Sequence, residues 1–209
     1  MINVCIADNF PVVHFGMKAY FKDHSEISIV SNVGNFFMIP DALRNKEIDV
    51  LIMDLELDGL NSIYEVKSII KNFPKTKVII FSSLSEQIYA PNAIKAGCSG
   101  YVHKTSKLEN LGLTIIKVNN GQIVLNDEIK KNLALIAKQN KSERLYRKLS
   151  NREIEVLRFL SDGKKNNEIA KILGLNEKTI STYKLRLLTK LHVTNLVDLV
   201  NKAKTLEIV

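Results

Sequence analysis

The sequence predicts an α/β fold, a doubly wound five-stranded parallel sheet, joined to a second, all-α module. Three observations predict it. Between Asn3 and Asn119 five short apolar runs alternate with five stretches of helical period. Two of the runs, Val50–Met53 and Val78–Phe81, contain no polar residue, the pattern of strands buried on both faces by covering helices. Beyond Lys148 apolar residues recur only at helical spacing, and positive charge collects there.

In order, Asn3–Ala7 reads as a strand and Pro11–Phe21 as a helix, with Val12, Val13, Phe15, Gly16 and Ala19 among its candidate packing positions. Ile27–Val33 is a second strand, and Met38–Arg44 a helix with Asp41 and Ala42 near its start. Val50–Met53 is the third strand, Ile63–Asn72 a helix, and Val78–Phe81 the fourth strand. Glu86–Ala96 is a helix stopped by Gly97, Gly100–Val102 a short fifth strand, and Lys107–Asn119 a helix closed by Gly121.

Asn126–Asn140 has a capping Asn126, acidic Asp127 and Glu128 at its start, and an apolar stripe of Ile129, Leu133, Ile136 and Ala137, which predicts a helix. The charged stretch Lys138–Lys148 reads as a linker. Ser150 and Glu153 then form an S-x-x-E capping box that opens a helix through Leu160, ended by Gly163. Asn167–Leu173 is a short helix stopped by Gly174, Asn176 caps a longer one through Leu191, and a last helix spans about Asn195 to Lys204. The expected division is 1–122 for the sheet module, 123–148 for a linker containing a helix, and 149–209 for the helical module.

Of 30 Lys and Arg, 15 lie in residues 1–140 beside 14 Asp and Glu; the other 15 lie in residues 141–209 beside 8. A near-neutral module is thus followed by a basic one suited to a polyanion. Two cysteines, Cys5 and Cys98, exclude a disulfide scaffold and a four-cysteine zinc site, and suit reduced packing residues of a cytoplasmic protein. The start, MINVCIAD, carries no basic segment followed by an apolar one, so no leader is expected. No apolar run approaches the roughly 18 residues of a membrane span, so no membrane partner is expected. His14, His24, His103 and His192 show no ligand spacing.

In a parallel sheet the functional crevice lies beyond the carboxyl ends of the strands. The polar residues there are Asp8 and Asn9, Asp54, Ser82 and Ser83, and Lys104. Two neighbouring carboxylates, Asp8 and Asp54, repel unless a cation joins them, and Mg²⁺ can also bridge to a phosphoryl oxygen. A carboxylate nucleophile, an ammonium and a hydroxyl around one point suit phosphoryl transfer onto an aspartate.

The stretches Ile6-Ala7-Asp8-Asn9-Phe10-Pro11, Leu51-Ile52-Met53-Asp54-Leu55, Ile80-Phe81-Ser82 and Ala96-Gly97-Cys98-Ser99-Gly100-Tyr101-Val102-His103-Lys104 resemble a CheY-like (flavodoxin-like) receiver domain of a bacterial response regulator. The resemblance implies that Asp54 is the phosphoacceptor, that Lys104 pairs with the phosphoryl group, that Ser82 hydrogen-bonds it, and that Tyr101 is an aromatic switch. It also implies a metal site of Asp8, Asn9, Asp54 and the Glu56 carbonyl. Two residues depart from the family pattern. Asn9 stands where a second acid is usual, so the affinity for Mg²⁺ should fall. Asp58 stands where proline is usual.

The segment from Leu149 to about Lys204 has an L-S-x-R-E opening, N-x-E-I-A, K-T-I-S and a closing K-L. It resembles the NarL/FixJ (LuxR-type) helix-turn-helix, and its K-T-I-S-T-Y-K-x-R-L stretch looks closest to BvgA/EvgA-type members. On the helix 177–191, Ile180, Tyr183, Leu187 and Leu191 should pack inward. The opposite face carries Lys178, Ser181, Thr182, Leu185, Arg186 and Thr189. With Thr179 from the K-T-I-S start, Ser181, Thr182, Lys184, Leu185 and Arg186 are expected at DNA bases or phosphates, and Lys165, Lys178 and Lys190 at phosphates. Leu196, Val197, Leu199, Val200 and Ala203 are more apolar surface than a terminal helix needs, and Leu196, Val197 and Val200 are expected at a homodimer contact.

The resulting expectation is a two-component response regulator, a DNA-binding transcription factor and not an enzyme. A sensor histidine kinase would phosphorylate Asp54 and so alter dimerisation and binding to double-stranded DNA. The alternative is a receiver that serves as a phosphorylation-independent dimerisation module. An enzyme on this sheet would need a phosphate-cradling loop, and neither G-x-G-x-x-G nor a Walker-type lysine motif is present.

Overall fold

A computed structural model describes residues 1–126, 149–205 and 208. The helix expected over Asn126–Asn140 and the linker over Lys138–Lys148 fall, but for Asn126, outside the described residues. The chain divides into two compact units, Met1–Ala134 and Leu135–Val209.

The first unit is a five-stranded parallel sheet flanked by helices. The elements are β1 (Ile2–Ala7), α1 (Pro11–Tyr20), β2 (Ile27–Val33), α2 (Ile39–Asn45), β3 (Val50–Met53), α3 (Ile63–Asn72), β4 (Lys77–Ser82), α4 (Glu86–Ala96), β5 (Gly100–His103) and α5 (Leu108–Asn119). A short 3₁₀ turn at Phe36–Met38, absent from the sequence reading, precedes α2. The strand order is β2-β1-β3-β4-β5, all parallel, as the alternation of strands and helices requires.

Side chains alternate across each strand. Val4, Ile6, Val50, Ile52, Ile79, Phe81 and Val102 form one core with Met17 and Phe21 from the α1 side and Leu111, Ile115 and Val118 from α5. Each such buried aliphatic side chain contributes about 1.5–3 kcal/mol. Cys5, Leu51, Met53, Val78, Ile80 and Tyr101 are the intervening residues, and they are buried too. Both cysteines are free and buried; burial pushes the Cys5 thiol up to about 11 and the Cys98 thiol up to about 12.

The packing expected of α1 is corrected. Val12 and Phe15 are 74% exposed, and Gly16 and Ala19 are exposed with them, while Met17 is buried and Val13 half-buried. The helix carries two apolar stripes. The core takes the one through Val13, Met17 and Phe21, because the two long side chains at its end fill the space beside Ile27 and α5.

Past α5 the chain turns back to β5. Val124 forms a parallel bridge to Gly100, with Val124 N–H donating to the Ser99 carbonyl at 2.8 Å and Tyr101 N–H to the Val124 carbonyl at 3.3 Å. Glycine suits the close approach there: a Cβ would lie 3.3 Å from Thr114 Cγ2 and 3.4 Å from the Val124 carbonyl oxygen.

The described part of the second unit is helical: α6 (Asn151–Ser161), α7 (Asn166–Leu173), α8 (Glu177–Leu191) and α9 (Leu196–Thr205). The Ser150–Glu153 capping box forms as expected, and Asn176 caps α8 by accepting from Thr179 N–H at 2.8 Å. Gly174 ends α7 in the left-handed region at φ 64°, and His192 does the same for α8 at φ 53°. Ile154, Leu157, Ile169, Ile180, Leu187, Leu191, Leu199 and Ala203 are buried in this unit.

Candidate functional site

Register builds the first site. Ala7 pairs with Met53, so Asp8 and Asp54 leave the sheet side by side at the carboxyl ends of β1 and β3. Ser82 ends β4, and Lys104 follows β5, its backbone N–H donating to the Ser82 carbonyl at 2.9 Å. This is where the order of a doubly wound sheet reverses, between β1 and β3.

Lys104 Nζ lies 2.7 Å from Asp8 Oδ2 and 2.7 Å from Asp54 Oδ2. The carboxylates are 2% and 1% exposed, so one ammonium holds together two charges that water does not screen. Burial alone would lower the Lys104 pKa, but the hydrogen bonds and charges of Asp54 and Asp8 outweigh it and hold the group above its ordinary value. The remaining oxygens are also engaged. Asp8 Oδ1 accepts from Phe10 N–H at 2.8 Å, and Asp54 Oδ1 from Glu56 N–H at 3.3 Å. The Phe10 ring lies 5.5 Å from Lys104 Nζ, a cation–π contact at the pocket mouth that the sequence reading missed.

Ser82 is fully buried, and its Oγ accepts from Leu84 N–H at 3.4 Å. Tyr101 is buried and donates its hydroxyl to the Leu84 carbonyl at 2.8 Å. Burial, then the nearby Tyr89, Glu86 and Asp54, push its phenol well above the ordinary range. Two candidate switch residues thus meet on one loop residue, Leu84. His103 braces the same loop: its ring nitrogen lies 2.9 Å from the Ser83 carbonyl, and its N–H donates to Glu86 at 2.9 Å.

Asn9 bonds the loop after β3. Its Nδ2 donates to the Glu56 carbonyl at 2.8 Å and to Asp58 Oδ1 at 3.3 Å, and its Oδ1 accepts from Asp58 N–H at 2.7 Å.

The second site is a face of α8. Lys178, Ser181, Thr182, Leu185, Arg186 and Thr189 are all exposed on it, with Leu185 at 65%. Lys165 is exposed on the neighbouring helix start. Several candidates also make contacts within the fold. Thr179 Oγ1 bonds the capping Asn176, and Ser181 Oγ accepts from Asn166 Nδ2 at 3.2 Å, joining α7 to α8. Lys190 Nζ pairs with Glu153 Oε2 at 2.7 Å. Lys184 is half-buried, and the Arg186 guanidinium lies 5.9 Å from the Tyr183 ring. On α9, Val197 is 69% exposed and Leu196 and Val200 are half-buried, whereas Leu199 and Ala203 pack inward.

Residues 4–116 match the response regulator receiver domain, and residues 147–203 match bacterial regulatory proteins of the luxR family. The chain belongs to the NarL/FixJ (LuxR-type) response regulators. The Fimbriae Z protein of Escherichia coli K12 is 31% identical over 211 residues, covering 99% of this chain and 98% of its own. A structure of RcsB from Salmonella enterica serovar Typhimurium, bound to promoter P1flhDC in the presence of the phosphomimetic BeF₃⁻, is 26% identical. It covers 98% of each chain with a TM-score of 0.80. A structure of two RcsB dimers bound to two parallel DNAs is 27% identical, covers 96% of this chain and 97% of its own, and has a TM-score of 0.71.

The response regulator is therefore a transcription regulator with a receiver and a LuxR-type DNA-binding domain. Among the described residues no helix is long and apolar enough to cross a membrane. Receivers generally take Mg²⁺ for phosphorylation. Of the oxygens that would face that ion in this response regulator, those of Asp8 and Asp54 share Lys104, the Glu56 carbonyl accepts from Asn9, and the Asn9 oxygen accepts from Asp58 N–H.

Proposed function

We propose that this response regulator takes a phosphoryl group from a sensor histidine kinase onto Asp54 and that phosphorylation alters dimerisation and binding to double-stranded DNA. The observation that carries this reading is Lys104 bridging Asp8 and Asp54 at 2.7 Å each. The Asp54 carboxylate attacks the phosphorus of a phosphohistidine, the P–N bond breaks, and the imidazole leaves with the electron pair. Lys104 neutralises charge on the transferred oxygens.

The partner reading rests on access. Asp54 is almost fully covered, so a donor protein must reach over the pocket rim. The exposed stripe of Val12, Phe15 and Ala19 runs down α1 from Phe10 at that rim, and we assign it as the donor's seat.

The new phosphoryl oxygens draw the Ser82 hydroxyl, Leu84 follows through its N–H, and the Leu84 carbonyl carries Tyr101 with it. On the DNA side, Thr182, Leu185 and Arg186 enter the groove, Lys165 and Lys178 hold phosphate, and Leu196, Val197 and Val200 join two copies. The receiver spans 1–122, the linker 123–148 and the DNA-binding domain 149–209, in a cytoplasmic protein.

A second reading, a receiver that dimerises without phosphorylation, is favoured by Tyr101 already lying buried on Leu84. One experiment separates the two. The full chain is treated with a small phosphodonor, then sized and titrated with duplex DNA. The first reading expects a mass gain of about 80 Da, lost in Asp54→Ala, together with tighter DNA binding. Equal sizing and DNA affinity in both proteins would leave the second.

A further inference from the structure

We propose that the Asn9 carboxamide takes the structural place of the divalent cation in this receiver, so that the pocket is held together and loaded without one. The proposal deepens the phosphoacceptor reading and rests on Asp54 as the acceptor.

A bound cation in such a pocket has two tasks. It neutralises the carboxylates, and it ties the loop after β1 to the loop after β3. Both tasks are already done by side chains. Lys104 supplies the charge at 2.7 Å from each carboxylate. Asn9, on the loop after β1, supplies the tie through three bonds to Glu56 and Asp58 on the loop after β3.

The orientation of the amide is forced by its partners. Turned over, its oxygen would face the Glu56 carbonyl and the Asp58 carboxylate, and its NH₂ would face the Asp58 N–H. All three bonds would be lost. The oxygen therefore accepts from Asp58 N–H and the Glu56 carbonyl from Nδ2, so each oxygen that would face an ion already has a protein donor.

The two departures from the family pattern are bonded to each other. Proline has no N–H for the Asn9 oxygen and no carboxylate for the Asn9 NH₂. Asp58 supplies both, at 2.7 and 3.3 Å. Its carbonyl also accepts from Phe36 N–H at 2.8 Å, so the loop is fixed from the β2 side as well. Asn9 and Asp58 are one device, and an aspartate at position 9 would break it: it keeps the bond from Asp58 N–H, but it loses the Nδ2 bonds to Glu56 and Asp58 and adds the missing charge. Asn9 is a positioning residue, and Asn9→Asp should create a cation site.

The test is a titration of the full-length protein with Mn²⁺, followed by electron paramagnetic resonance, for wild type and Asn9→Asp. Expected is no saturable binding by wild type up to ~10 mM and at least about tenfold tighter binding by the variant. In parallel, Mg²⁺ should leave the wild-type melting temperature unchanged and raise that of the variant. Saturable Mn²⁺ binding by wild type below ~10 mM would overturn the proposal, and this arm needs no variant to fold. Labelling by a small phosphodonor should proceed equally in Mg²⁺ and in EDTA; labelling that requires Mg²⁺ would also overturn it. If neither condition labels Asp54, the acceptor reading falls, and the Mn²⁺ titration still decides the role of Asn9.

Discussion

Lys190 Nζ lies 2.7 Å from Glu153 Oε2, so the far end of α8 is fastened to the first turn of α6. Burial would raise the Glu153 pKa, but the bonds from Lys190 and from Ser150 outweigh it and hold the carboxyl below its ordinary value of 4.5. A carboxyl depressed in the folded state contributes stability that is complete above its unfolded value and is lost as pH falls through the folded one. The DNA-binding domain should therefore weaken as pH drops below about 4.5. Glu153→Gln should cost about 2 kcal/mol at neutral pH and flatten that acid limb, as read by calorimetry.

Lys104→Met leaves two buried carboxylates facing each other without a cation. The expected cost at neutral pH is about 2–3 kcal/mol, partly relieved on acidification as one carboxyl takes a proton. In the wild type the ammonium is held above 10.5. Its contribution is complete below the unfolded value and lost as pH rises through the folded one, so receiver stability should fall only in strong alkali. Thermal melts across pH check both limbs.

Tyr101→Phe removes the hydroxyl bond to Leu84 at a cost of about 1 kcal/mol. The variant should still accept phosphate, while its DNA affinity should lose its response to phosphorylation. Of the 6 tyrosines, Tyr101 should be missing from the ordinary phenol range in an ultraviolet titration, and the variant should leave that range unchanged.

On α8, Lys178→Ala should weaken DNA binding evenly across sequences and reduce the slope of log affinity against log salt by about 1. Leu185→Ala should change sequence preference, with the slope kept. Titrations at several salt concentrations with two unlike duplexes separate these outcomes.

His192 occupies the left-handed region at φ 53°, where a Cβ is strained. His192→Gly should stabilise the domain by about 0.5–1 kcal/mol in a chemical melt.

The strands were legible because Val50–Met53 and Val78–Phe81 are apolar throughout, and from their ends the places of Asp8, Asp54, Ser82 and Lys104 followed. The packing face of α1 was not legible, since Val12, Phe15, Gly16 and Ala19 have the same helical spacing as the stripe that is buried. Asn9 and Asp58 were visible as two separate oddities; that they bond each other depends on loops 49 residues apart. Lys190 was one basic residue among many on a basic module, and only the fold reveals the buried acid that claims it.

The return of Val124 to Gly100 has a consequence for association. The outermost strand of the sheet would otherwise offer bare amides and carbonyls to any stray extended peptide. At Ser99 and Tyr101 those groups are already taken by the chain's own continuation. A second strand cannot pair with those two groups unless Val124 is first displaced.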